Sequence, residues 1–234
     1  MKSDKLKLVI DIETSAFPLE SFSESQQEYI LRYAAKETDD EIKAAKELEA
    51  VRYMNLYPLT AKVIVIGLMN ITTGNRYVMF ESEEKREWEV EEKQISYHGM
   101  SEAEMLETFW KYAVKADKII TFNGRQFDIP FLMLRSAMLK IKPSRNFIKS
   151  RYDSSTHVDL LEQFTFHGLV RKFNLDFYTR AFGIESPKSK GISGMDVNEL
   201  YRAGKIDEIA IYCGDDILAT SELYKIWDDY LRLK

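Results

Sequence analysis

Three short acidic segments carry residue types that could act together on a phosphate. The first, Val9-Ile10-Asp11-Ile12-Glu13-Thr14, sets two carboxylates two residues apart at the end of an apolar run. On a strand alternate side chains share a face, so Asp11 and Glu13 project from one side, roughly 6.5–7 Å apart. Such neighbours repel each other, and a hard divalent cation such as Mg²⁺ or Mn²⁺ between them relieves the repulsion. Two solvated acids at a strand end are the alternative reading. The second segment, Ile119 to Asp128, breaks an apolar run at Asn123-Gly124 and brings Asp128 to the start of a helix. Aspartate is also an ordinary helix cap there and needs no metal to explain it. The third, Tyr212-Cys213-Gly214-Asp215-Asp216, puts a phenol and a carboxylate four apart on one helix face, with Asp215 turned away. Gly214 weakens a helix by about 1 kcal/mol, which a close approach of another backbone or a ligand would explain. An amphipathic helix with a core tyrosine and exposed aspartates is the alternative.

In order and local context, Asp11, Glu13, Asp128 and Asp216 resemble the DEDD superfamily of 3′–5′ exonucleases. The matching segments are Asp-Ile-Glu-Thr at 11–14, Phe-Asn-Gly-x-x-Phe-Asp-x-Pro-Phe-Leu at 122–132, and Tyr-x-x-x-Asp at 212–216. The last is the tyrosine pattern; Ala210 and Ile211 stand where the histidine subtype would carry its histidine. The second segment is similar to the exonuclease domain of family-B DNA polymerases and to its stand-alone bacterial relatives. His157-Val158-Asp159-Leu160, Leu169–Gly183 and Tyr212-Cys213 also resemble that stand-alone group.

The resemblance implies a ribonuclease-H-like α/β fold, a mixed five-stranded sheet flanked by helices. It implies removal of nucleoside 5′-monophosphates from the 3′ end of single-stranded DNA or RNA. No residue signal separates the two, and DNA is the nominal substrate. Two divalent ions, Mg²⁺ or Mn²⁺, would supply activated water and charge stabilisation. Asp11 would bridge both ions, Glu13 and Asp216 would complete the water-activating site, and Asp128 would support the second ion through water. Tyr212 would orient the attacking water. Thr14, Asn123, Phe127, Lys188 and Lys190 are the expected nucleic-acid contacts, with Phe127 also readable as core and Asn123 as a turn residue. The basic stretch Lys140–Arg151 is a further candidate for backbone contact. Asp159 is read as the cap of the turn that follows it.

Two rivals stand beside this. The strand-Asp-x-acid-x-Thr pattern loosely imitates haloacid-dehalogenase-type phosphatases, although Glu13 replaces their usual aspartate and Gly214-Asp215-Asp216 sits in a helical stretch. A catalytically silent nucleic-acid-binding domain is the other.

The elements that must position these residues follow from periodicity. Leu6–Ile12, Ala61–Asn70, Arg76–Phe80, Lys118–Phe122 and Thr156–Leu161 read as strands. Phe22 to Met54 has helix composition without Gly or Pro. Ser101 with Glu104 forms a capping-box pattern opening a helix to Lys115, Phe127–Leu139 is apolar at helical density, and the chain from Leu169 onward is mostly helical around a Ser186–Gly194 loop. One domain over 1–234 is expected, with a helical insertion over 15–56 of unassigned role.

With 234 residues, 45% hydrophobic and 30% charged, the chain can bury a core, and disorder is excluded. Its single cysteine, Cys213, excludes an internal disulfide framework and a thiolate zinc cluster. No apolar run reaches the roughly 18 residues of a spanning helix, and the N-terminus does not read as a signal peptide, so a cytoplasmic location without membrane is expected. The net charge of −5 is no basic footprint for duplex DNA. It hides an asymmetry: Ile129–Tyr152 has no acid, whereas Glu81–Glu107 is strongly acidic.

Overall fold

The computed structural model describes residues 6–150, 152–185, 194 and 196–232. Seven strands form one sheet: β1 Lys7–Ala16, β2 Ala61–Asn70, β3 Arg76–Glu81, β4 Glu87–Val90, β5 Ile95–Met100, β6 Lys118–Thr121 and β7 His157–Asp159. Their spatial order is β4-β5-β3-β2-β1-β6-β7. β1 runs antiparallel to β2 and parallel to β6, and β7 continues parallel beyond β6.

The five strands expected from sequence are the contiguous run β3-β2-β1-β6-β7, so the expectation of a five-stranded sheet is corrected by two strands added beyond β3. Both lie in the acidic Glu81–Glu107 stretch. In β5 the buried residues Ile95, Tyr97 and Gly99 alternate with half-buried ones, a period-two signal. In β4 Glu87 and Glu89 are exposed on the outermost strand. Charge there blunts an open sheet edge against pairing with other chains, and the same charge disguised the strand in the sequence.

Eight α-helices accompany the sheet among the described residues: α1 Glu24–Leu31, α2 Asp40–Arg52, α3 Glu102–Ala113, α4 Asp128–Met138, α5 Leu160–Phe164, α6 Leu175–Ala181, α7 Val197–Arg202 and α8 Ile206–Ile226. The single helical stretch expected over Phe22–Met54 is broken in two. The first helix ends at Leu31, and Asp39 starts α2 afresh by accepting the Glu41 and Ile42 amides, both at 3.0 Å. The expected capping box forms: Ser101 and Glu104 exchange backbone-to-side-chain bonds at the head of α3.

Strand alternation divides the core into two layers. Leu8, Ile10 and Ile12 of β1 pack with Phe109 and Trp110 of α3 and Phe131 and Leu132 of α4. Val9 packs on the other face with Ile209, Cys213 and Ile217 of α8. Asp11 and Glu13, at odd positions like Val9, therefore point toward α8. α8 lies close to the sheet because two glycines leave room. A Cβ on Gly67 of β2 would sit 2.8 Å from Cys213 Sγ, and one on Gly214 would sit 2.7 Å from Ile95 Cδ1. The weak helix former at 214 thus answers to side chains of β5 rather than to a backbone or a ligand.

Candidate active site

Each acidic segment reaches the site by a different local device. On β1 the register pairs Asp11 with Gly67 and Glu13 with Val65 of β2, and it slips between Glu13 and Thr14. This bulge ends the regular pairing just beyond the two carboxylates. Asp216 enters from α8, with Tyr212 one turn before it. One oxygen each from Asp11, Glu13 and Asp216 lie within 4.8 Å of one another, although Asp216 stands more than 200 positions from the other two in sequence. The Tyr212 hydroxyl donates to the Asp216 carboxylate.

Asp128 is the first residue of α4, at the C-terminal end of β6, and is buried. The Ile12 amide donates to its carboxylate. That amide lies beyond Val9, the last β1 residue paired with β6, so the aspartate takes a donor the sheet leaves over. Among the described residues the Asp128 Oδ1 atom has no hydrogen-bond partner.

The electrostatics of this arrangement are strongly unfavourable for a metal-free site. Burial, then the charges of Asp216, Asp128 and Glu13, hold the Asp11 carboxyl well above the usual carboxylate range. Burial, Asp216 and Asp128 do the same to Glu13. Asp128 is pushed up to about 7, by burial first and by Asp159 and Asp216 after it. Tyr212 is raised above the ordinary phenol by burial and the adjoining carboxylates, so it is a neutral hydrogen-bond donor at any ordinary pH. Three clustered carboxylates and a fourth whose charge reaches them, Asp128 with its orphaned buried oxygen, are the donor set that hard divalent cations take. The residues fit such ions.

Around the acids, one polar framework holds the turn that leads to Asp128. Asn123 adopts a left-handed backbone with φ 67°, and its amide donates to Asp159 Oδ1 at 3.0 Å. The Arg125 amide donates to Asp159 Oδ2 at 2.9 Å. The same carboxylate caps α5 through the Leu161 and Glu162 amides at 3.0 and 3.3 Å. Gly124 must be glycine, since a Cβ would lie 2.5 Å from Thr121. Thr121 Oγ1 in turn accepts the Gly124 amide and bonds His157 Nε2 at 2.9 Å. The capping role expected of Asp159 is present; its hold on the 123–125 turn is not legible locally, because it spans 34 and 36 residues.

The expected nucleic-acid contacts are distributed differently. The Thr14 hydroxyl is buried and donates to the Asn55 carbonyl at 2.7 Å, tying β1 to the 3-10 turn Tyr53–Leu56. Phe127 is half-buried before α4 and packs against Phe131 with ring centroids 5.5 Å apart. Asn123 makes the turn. Lys188 and Lys190, with most of the Ser186–Gly194 loop, lie outside the described residues. The basic stretch is not one patch: Arg145 donates to the Ala116 carbonyl at the N-terminal end of β6, away from the acids. Nearby, Arg135 is buried in a pair with Glu102 at 2.7 Å. Cys213 Sγ lies 3.6 Å from Asp11 Oδ2, a neighbour the motif reading did not assign.

A mixed sheet of this order, crossed by a helix that returns an aspartate to the central strand, is a ribonuclease-H-like fold with an acidic centre. A solved structure of the family B DNA polymerase from the hyperthermophilic archaeon Pyrobaculum calidifontis matches 96% of this chain with a TM-score of 0.61 at 16% identity. The match occupies 25% of that polymerase. The model of a family described as predicted 3′–5′ exonucleases related to the exonuclease domain of PolB matches residues 60–230, and the chain belongs to that family. Similar curated proteins are a DNA polymerase from Pyrococcus glycovorans, 32% identical over 138 residues, and DNA polymerase 1 from Sulfurisphaera ohwakuensis, 26% identical over 136. Each alignment covers 53% of this chain, and 18% and 15% of those polymerases, so the chain spans under a fifth of these relatives. Family membership removes the haloacid-dehalogenase rival. Among the described residues no helix is long and apolar enough to cross a membrane.

Proposed function

We propose that the protein is a metal-dependent 3′–5′ exonuclease of the tyrosine subtype that shortens single-stranded nucleic acid, DNA first, and releases nucleoside 5′-monophosphates. The observation that carries this is the meeting of Asp11, Glu13 and Asp216 oxygens within 4.8 Å on the face where Tyr212 bonds Asp216. Divalent ions, two Mg²⁺ or Mn²⁺ in this reading, would polarise the phosphate and lower the pKa of a bound water. Asp11, Glu13 and Asp216 would hold them directly, and the orphaned oxygen of Asp128 would reach one through water.

The chain's own residues do the rest. Tyr212, a neutral phenol fixed by Asp216, positions the attacking water rather than deprotonating it. Ile12 and the Asp159-braced turn keep Asp128 at its place at the head of α4. A soluble, cytoplasmic setting belongs to the same proposal. Incubating the protein with Mn²⁺ and a single-stranded oligonucleotide, and separating products by anion-exchange chromatography, tests the chemistry. Nucleoside 5′-monophosphates are expected; nucleoside 3′-monophosphates or free inorganic phosphate would reject it.

A further inference from the structure

Beyond the acidic centre, the surface between α5 and α6 combines aromatic side chains and cations in a way the site chemistry does not use. Phe166, Leu169 and Val170 are 53%, 84% and 51% exposed, and Tyr152 and Phe177 are 71% and 56% exposed. Phe166, His167 and Gly168 are consecutively left-handed, with φ 50°, 60° and 95°. A bulky aromatic there is strained, and strained residues cluster at functional surfaces. Buried Thr165 anchors the turn, its carbonyl accepting the Gly168, Leu169 and Val170 amides.

The elements of this surface are joined. Tyr152 meets His167 edge-on with centroids 4.9 Å apart, and Phe173 stacks on Phe177 at 4.4 Å with Arg171 over its ring. Buried Glu162 links the two halves: an oxygen lies 3.8 Å from His167 Nδ1 and another 3.4 Å from Lys172 Nζ. Lys172 also donates to Gln126 at 3.2 Å, two residues before Asp128. The surface therefore abuts the turn that carries the fourth acid. Charge selects its occupant. In the surface's own segment, residues 163–182, Arg171, Lys172 and Arg180 stand against a single acid, Asp176. In a chain of net charge −5, this is a local cationic face set with open rings.

We propose that the α5–α6 surface, with Tyr152, Phe166, Arg171 and the Phe173–Phe177 stack, binds single-stranded nucleic acid upstream of the 3′ end held at the acidic centre. Unpaired bases stack on the exposed rings while Arg171 and its neighbours follow the phosphates. Paired bases cannot reach the rings, so the surface also selects single strands. The direction of approach rests on the exonuclease reading; the binding itself does not.

The test is fluorescence anisotropy of a labelled oligothymidylate in EDTA, where nothing is cleaved. Phe166→Ala and Phe177→Ala are each expected to weaken binding roughly 5- to 100-fold. Arg171→Ala is expected to reduce the slope of log K against log salt by about 0.7. Arg171→Glu, at an exposed position, keeps the test alive should Phe177→Ala disturb α6, and thermal melting checks both. In a parallel arm with Mn²⁺, hydrolysis of the p-nitrophenyl ester of thymidine 5′-monophosphate, too short to touch the surface, is expected to stay at the wild-type rate. Wild-type affinity in all four variants, equal affinity for a duplex, no oligothymidylate binding by the wild type, or variants that alter only self-association in sedimentation would each overturn the proposal. Loss of oligothymidylate binding in a protein that hydrolyses neither substrate would sustain the surface and sink the exonuclease reading instead.

Discussion

The Asp159 carboxylate accepts the backbone amide of Arg125 at 2.9 Å, so a residue at the end of β7 sets the turn that delivers Asp128 to the site. With the Asn123, Leu161 and Glu162 amides it satisfies four backbone donors. Asp159→Ala leaves buried donors unmet and is expected to cost about 1–3 kcal/mol in chemical denaturation. Asp159→Asn keeps one acceptor oxygen and is expected to recover part of that stability. If both variants unfold at the wild-type midpoint, the carboxylate does not brace the turn.

His157 gives the protein a pH dependence of defined sign. Burial first, then Arg125, pulls its imidazole down to about 4. The unfolded chain takes up this proton near pH 6.5 and the folded chain only near 4. The unfolded state thus binds more protons in that window, and the His157 contribution to stability is lost as pH falls through it. The size is on the order of 3 kcal/mol. The difference in unfolding free energy between wild type and His157→Gln should shrink from pH 7 to pH 4; a constant difference refutes the assignment.

Tyr212→Phe removes the hydroxyl that bonds Asp216 and leaves the ring packed. Turnover is expected to fall roughly 10- to 100-fold, as for a misplaced reactant, while Mn²⁺ affinity by titration calorimetry stays within about threefold. Unchanged turnover would release Tyr212 from its role.

The cluster of raised carboxyl pKa values predicts that cations stabilise the fold. At about a hundredfold excess over Kd, Mn²⁺ should add about 2.7 kcal/mol to the wild type. Asp11→Asn should lose that gain, yet in EDTA it should melt no lower than wild type because it removes one of the clustered charges. Equal Mn²⁺ shifts in both proteins would place the ion elsewhere.

Much of the site was legible because its residues obey local rules. Two-residue spacing put Asp11 and Glu13 on one face of β1, and four-residue spacing put Tyr212 and Asp216 on one face of α8. The central strands were equally readable, since Val63 to Ile66 and Val78 to Phe80 form buried apolar runs. What stayed hidden depends on contacts between distant segments. Nothing near Asp159 announces the Asn123 and Arg125 amides, and nothing near Gly214 announces Ile95. β4 was masked by the charge on its exposed edge. Thr14 fits a substrate-contact motif by spacing, and only the fold reveals that its hydroxyl is held by Asn55.

The most direct test follows a single-stranded DNA oligonucleotide labelled at its 5′ end, incubated with Mg²⁺ or Mn²⁺ and resolved over time on a denaturing gel. A ladder that shortens one nucleotide at a time from the unlabelled 3′ terminus, absent with Asp11→Ala, is the predicted result. Immediate release of the labelled terminal nucleotide, internal cuts, or the same ladder from Asp11→Ala would contradict it.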